Sequence, residues 1–242
     1  MKIPKRSEMT TRAVAGRKAK KDGHEFEHRL AATFDELFGG DHKVDGRPCT
    51  KVDIMETISN RKYSVKSASK NHTQVALLSA EKFIKHFKLK GTHSETFIRQ
   101  FFGYPNKECV SIVESKHPEI ALSDAEKKQN RIYRDNIDKK VSNAFLKWIN
   151  KNKVSLFDVI VSRGFEGDAV DTVIWHKKGS EMIRMMSVVA MLRRIEGGKW
   201  TMNNTTLEFR DEDGKKMFHL QMKGSGKKYN SGYHGMMFHL HV

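Results

Sequence analysis

The apolar residues Phe26, Leu30, Phe34, Leu37 and Phe38 recur at steps of one, three and four between Gly23 and the pair Gly39-Gly40. This spacing predicts an amphipathic helix with a glycine stop. At about 100° per residue, Glu27 falls inside the arc that these side chains define. A carboxylate there either sits at the helix margin or turns toward a site holding a metal or cations, because burying it unpaired is costly. After Pro48 the pattern changes to alternation. Thr50 to Glu56 and Lys62 to Val65 read as two short strands separated by the turn-prone Ser59-Asn60-Arg61, and together they predict a hairpin.

The polar stretch Ser67 to Gln74 is expected to be a loop. Ser79 then opens a helix with Ala80, Phe83, Ile84 and Phe87 on its apolar face. Thr92 and Glu95 form a capping-box signature before Phe97, Ile98, Phe101 and Phe102, and Tyr104-Pro105 closes that segment. A long charged helix, in one piece or two, is expected from Ser123, with Ile132, Ile137, Val141, Phe145, Trp148 and Ile149 on its buried side. Val154 to Val161 and Val170 to Trp175 read as strands, and Glu181 to Arg194 as an apolar helix. Thr206 to Arg210 and Lys216 to Met222 read as a hairpin, and Met236 to Val242 as a last strand. With no internal repeat, this mixed order predicts an α/β fold: one domain over residues 1–242, built on a central mixed sheet flanked by helices, with residues 1–21 as a basic arm.

Charge narrows the function classes. The 242 residues hold 45 Lys and Arg against 29 Asp and Glu, a formal net charge of +16. A field of that sign attracts polyanions, nucleic acid first among them. The basic residues run from Lys2 to Lys228 rather than along one helix, which counts against a membrane surface. No apolar run approaches the length of a membrane span and no secretory signal is seen, so a cytoplasmic location is expected. Cys49 and Cys109 suit neither a disulfide framework nor a CxxC metal site. His239 and His241 alternate with Leu240 and Val242 as on a strand, and two ligands fall short of the four of structural zinc.

The candidate chemistry lies in the first hairpin. Asp53 follows Lys51-Val52, and Ser64-Val65-Lys66 begins eleven residues later; adjacent strands bring the two together. Cutting a phosphodiester needs an oxygen ligand for Mg²⁺, charge stabilisation in the pentacovalent transition state, and a group to orient or deprotonate water. Asp53 can supply the first and Lys66 the other two. Ser64 and Lys66 share one face while Val65 points to the other, and the Val65 main-chain carbonyl is a second candidate metal ligand. An aspartate followed by SxK is by itself a weak signal, equally that of a surface lysine and a turn-capping aspartate. Glu27, the Ser- and Asn-rich stretch after Lys66 and the net charge all strengthen the enzymatic reading.

A helix with an acid, a strand Asp and then a strand xxK resembles, in this order, the PD-(D/E)xK nucleases, and within them the small type II restriction endonucleases that cut GCGC. The stretches carrying the resemblance are Ala19-Lys20-Lys21-Asp22-Gly23, Lys51-Val52-Asp53-Ile54, Ser64-Val65-Lys66, residues 145–153 and Gln221-Met222-Lys223-Gly224. The resemblance implies a restriction-endonuclease-like fold, Mg²⁺ as cofactor, and double-stranded DNA cut at a short palindromic G+C-rich site such as GCGC. It also implies that Asp53 holds the metal, Lys66 activates water and Glu27 assists. Ser64 stands where the family usually has Glu or Asp. A hydroxyl is a poorer Mg²⁺ ligand than a carboxylate, so fewer direct ligands and more metal-bound water are expected.

Base reading is expected from two polar regions beside the site: Ser69, Lys70, Asn71, His72 and Gln74, then Lys223, Ser225, Lys227, Lys228 and Tyr229. Gln74 and Lys223 are the preferred base contacts, with Lys2 to Lys21 holding phosphates. Monomer and homodimer stay open. Two rival readings remain: a structure-specific repair nuclease of the same fold, and a non-catalytic nucleic-acid-binding module in which Asp53 and Lys66 form a structural ion pair.

Overall fold

Helix α1 (Thr11–Phe38) starts well before Gly23, so the second half of the expected basic arm is helical; Lys and Arg are good helix formers on a solvated face. Leu30, Ala31 and Phe34 are buried as expected, but Leu37 and Phe38 are exposed at the C-terminal end of the helix. Gly39 ends it at φ 68°, its N–H donating to the Asp35 carbonyl at 3.0 Å, the left-handed stop that glycine adopts without strain. The computed structural model describes residues 11–45, 47, 51–68, 71–102, 137–165, 167–179, 182–203, 206–223 and 235–241. Tyr104-Pro105, Ser123, Ile132 and the two cysteines lie outside them.

The expected single mixed sheet is two five-stranded sheets. The first is mixed, in the order β1 (His42–Val44), β2 (Ile54–Glu56), β3 (Lys62–Ala68), β5 (Thr172–Lys177), β6 (Ile183–Ser187). Its β3–β5 pair is parallel and its other pairs are antiparallel. The β2–β3 hairpin is in register with Ile54 opposite Tyr63. Its turn is held by Glu56, whose carboxylate accepts from the Ile58 and Ser59 N–H groups at 2.8 and 2.6 Å and from the Ser59 hydroxyl. Those donors hold the Glu56 carboxyl down at about 2. Leu30, Ala31 and Phe34 of α1 pack with Ile54, Tyr63, Val65 and Ile174 into a small core on this sheet.

The second sheet is antiparallel, in the order β4 (His72–Ser79), β10 (Gly235–His241), β9 (Lys216–Lys223), β8 (Thr206–Arg210), β7 (Lys199–Asn203). One face presents Leu207, Phe209, Phe218, Leu220, Phe238 and Leu240 to the larger core. That core is shared with α2 (Ala80–His86), α3 (His93–Phe101) and α4 (Lys139–Lys151), where Phe97 and Phe145 stack at 4.3 Å. Thr92 caps α3 as expected, accepting from Glu95 N–H. Glu95 in turn accepts from Gly91 N–H rather than from Thr92.

Three segments differ from expectation. The stretch expected as a loop is strand at both ends: β3 runs to Ala68 and β4 begins at His72. Exposed Gln74 alternates there with buried Thr73 and Val75, and a strand whose outer side is polar resembles a loop in composition. Residues 154–161 are helix α5 (Lys153–Phe157) followed by a π-helical turn (Asp158–Ser162), because periodicity alone does not tell a fully apolar strand from a buried helical segment. Residues 181–194 are not one helix but strand β6 followed by α6 (Val188–Gly197). Among the described residues no helix is long and apolar enough to cross a membrane.

Candidate active site

The hairpin register places Asp53 against the strand that carries Ser64, Val65 and Lys66. Asp53 Oδ2 accepts from Val65 N–H at 2.6 Å, Ser64 Oγ at 3.1 Å and Lys66 Nζ at 3.0 Å. Lys66 Nζ also donates to the Val65 carbonyl at 3.0 Å, so one ammonium touches both oxygens expected to face a metal. The pair is half-buried, with Lys66 and Asp53 side chains 19% and 22% exposed. Val65 turns its side chain into the small core, as the alternation requires. Ser64 is buried, and its hydroxyl fixes the carboxylate rather than replacing one.

Glu27 lies on the same side of the molecule as this pair. Burial raises its pKa above the ordinary carboxylate value, His24 opposes the rise by a hydrogen bond at 3.2 Å, and the Asp53 charge adds to it. Besides its bond to His24, Glu27 feels the charges of both Asp53 and Lys66. Phe26, beside it, stacks on His176 at 4.1 Å, and His176 meets Ser67 Oγ at 3.3 Å. These contacts seat α1 over β3 and β5.

Lys51 belongs to the stretch that carries the resemblance but is given no function by it. Its Nζ donates to the Val75 carbonyl of β4 at 2.6 Å and to the Ile160 carbonyl of the π-helical turn at 2.9 Å. The segment that leads through Asp53 into β2 is thereby fastened to the second sheet. Burial first, then the neighbouring Lys66 charge, push the Lys51 ammonium down to about 7. The signal for it was its position two residues before Asp53, which puts both on one face of an extended chain.

Lys51 and Lys66 open on a cleft of about 910 Å³ whose wall also includes Gln74, Val75 and Leu77 of β4, Lys82, Lys85 and His86 of α2, and Gly164 and Phe165. Among the described residues its lining holds four lysines and no carboxylate. Such a wall concentrates positive potential. The oxygen donors Asp53, Glu27 and the Val65 carbonyl suit Mg²⁺, which binds through one or two carboxylates, water and substrate phosphates rather than through a closed protein cage.

The expected base-reading residues divide. Gln74 reaches the cleft from β4, with His72 on the same strand and Asn71 exposed just before it. Lys223 ends β9 opposite Gly235, whereas Gln74 lies opposite His239 on the other side of β10. The two preferred contacts are therefore offset by four residues, about 13 Å along the strand. Ser69, Lys70, Ser225, Lys227, Lys228 and Tyr229 lie outside the described residues, as do residues 1–10 and the side chain of Lys223.

No family model and no curated protein matches the chain. Among solved structures, the restriction endonuclease MspI in complex with its cognate DNA aligns with 82% of this chain and 69% of its own, at 13% identity and a TM-score of 0.46. The HhaI endonuclease in complex with DNA aligns with 90% of this chain and 85% of its own, at 11% identity and a TM-score of 0.29.

Proposed function

We propose that this chain is a Mg²⁺-dependent site-specific endonuclease that hydrolyses double-stranded DNA at a short palindromic G+C-rich sequence, GCGC being the one its motifs imply. The observation that carries the reading is the meeting of Asp53 with Lys66 at the wall of a lysine-lined cleft. Asp53 and the Val65 carbonyl would hold the metal, which when bound supplies positive charge to the scissile phosphate and acidifies water. Lys66 orients the attacking water and offsets developing negative charge. Ser64 and the Val65 N–H fix the rotamer of Asp53. Lys82 and Lys85 hold flanking phosphates, and Gln74 reaches toward a base edge. The test is digestion of a sequenced plasmid with and without Mg²⁺, followed by mapping of the fragment ends. Metal-dependent ends at one short palindrome support the reading, and ends confined to junctions or mismatches favour a repair nuclease.

One observation favours a second reading. Lys66 Nζ bonds directly to Asp53 and to the Val65 carbonyl, the geometry expected of a structural ion pair in a non-catalytic DNA-binding module. DNA that is retarded but uncut under every metal condition would select it.

A further inference from the structure

The outer face of the second sheet carries a cluster that the nuclease chemistry leaves unused. His72 on β4, His219 on β9 and His239 and His241 on β10 project from three neighbouring strands, with His241 opposite His72 and His239 opposite His219. The sequence showed only the pair on β10; pairing brings in the other two. β4 and β9 are separated by β10, about 10 Å apart at ordinary strand spacing. The His72 and His219 ring centroids are nevertheless 5.5 Å apart, so the side chains lean together over β10. The remaining separations are 4.4 Å for His219 and His239, 4.9 Å for His219 and His241, 5.2 Å for His72 and His239, and 5.3 Å for His72 and His241.

Two features of this cluster point to a missing partner. His219 Nδ1 and His241 Nε2 are 2.6 Å apart, two basic nitrogens that share a single proton. His239 Nδ1 is buried and has no hydrogen-bond partner, while its Nε2 meets Gln221 Nε2 at 3.3 Å. A buried imidazole nitrogen without a partner costs free energy.

We propose that His72, His219, His239 and His241 form a binding site for a divalent transition-metal ion, zinc by preference, that staples β4, β10 and β9 together. As the rings stand, no three His, Cys, Asp or Glu side chains among the described residues make a ready metal cage. Binding therefore replaces the His219–His241 hydrogen bond with two nitrogen–metal bonds through rotation about χ2, a soft torsion in histidine. Four imidazoles suit zinc, copper, nickel or cobalt and not Mg²⁺. Four protein ligands leave no open coordination position, which makes the site structural rather than hydrolytic. Glu208, opposite His219, is shared between Lys216 at 2.6 Å and Arg210 at 3.0 Å, so this nearby carboxylate is already engaged and is not counted as a ligand.

The test is titration of the full-length protein with Co²⁺, followed by displacement with Zn²⁺. Expected are an intense visible absorption of four-coordinate Co²⁺ that saturates at one equivalent, its loss on adding Zn²⁺, and a rise in melting temperature with Zn²⁺. The band should survive Asp53→Asn, which separates this site from the proposed nuclease centre. His241→Ala, at a half-buried position near a strand end, should weaken binding roughly ten-fold or more, the scale of losing a metal-site interaction. His219→Ala with His239→Ala should abolish the band, and His72→Ala with His241→Ala replaces that variant if it does not fold. A band that persists in both double variants, that disappears with Asp53→Asn, or that never forms at stoichiometric metal overturns the proposal.

Discussion

Replacing Lys66 by methionine removes the ammonium while keeping most of the aliphatic stem. At 3.0 Å and an effective dielectric of about 20, the gross attraction to Asp53 is about 5 to 6 kcal/mol, an upper bound that desolvation of both groups largely offsets. Exposed pairs contribute roughly 0 to 1 kcal/mol and breaking a fully buried one costs roughly 3 to 5. This pair is half-buried, and Asp53 keeps its bonds to the Val65 N–H and the Ser64 hydroxyl, so a stability loss of about 1 to 2 kcal/mol is expected. A general acid–base group contributes about 10² to 10⁴ in rate, equivalent to about 2.7 to 5.4 kcal/mol. Even from a starting stability of about 5 kcal/mol, the variant stays about 99% folded, so unfolding cannot account for a rate loss of that size. The assays are urea unfolding and initial cleavage rates at saturating Mg²⁺. Cleavage retained within a few-fold, alongside the predicted stability loss, would refute a catalytic role and leave a structural ion pair.

Asp53→Asn should abolish cleavage and with it the stabilisation by Mg²⁺, which in the wild type reaches about 1.4 kcal/mol at ten times the dissociation constant and is read as a shift in melting temperature. Lys82→Ala with Lys85→Ala should flatten the slope of log K against log salt by about 1.8 if each lysine contacts one phosphate, with the cut site unchanged; an unaltered slope in a binding titration removes α2 from the interface. Phe145→Ala deletes a ring that is fully buried and stacked on Phe97 and should cost about 3 to 5 kcal/mol by urea unfolding. Glu56 has a folded pKa of about 2 against an ordinary 4.5, so its contribution to stability is complete above the unfolded value and is lost as pH falls toward 2. Glu56→Gln should flatten the stability profile across that window, as followed by urea midpoints at several pH values.

What could be read from the chain were its local patterns. Phe26, Leu30 and Phe34 gave α1, Thr92 and Glu95 gave the cap of α3, and the alternation around Ser59-Asn60-Arg61 gave the hairpin that joins Asp53 to Lys66. Long-range pairing was not readable. Nothing local reports that β4 leaves the sheet containing β3 to pair with β10, more than 150 residues downstream, and so one sheet was expected where there are two. The same blindness hid the role of Lys51, whose partners Val75 and Ile160 are 24 and 109 residues away. Burial of Leu156, Phe157, Val159, Ile160 and Val161 in near succession masked the helical period in residues 154–161. An exposed edge strand, β6, let the apolar residues around Met185 read as the start of a helix.

Pairing at such distances orders events during synthesis. The outer flank of β3, which bears Lys66, meets β5 only after residues 172–177 have been made. β4, the strand lining the cleft, gains its neighbour in the second sheet only with residues 235–241. A nascent chain thus carries both Asp53 and Lys66 long before it has a cleft in which to use them. Translation itself leaves the lysine-lined cleft without the sheet that backs β4 until residues 235–241 have been made.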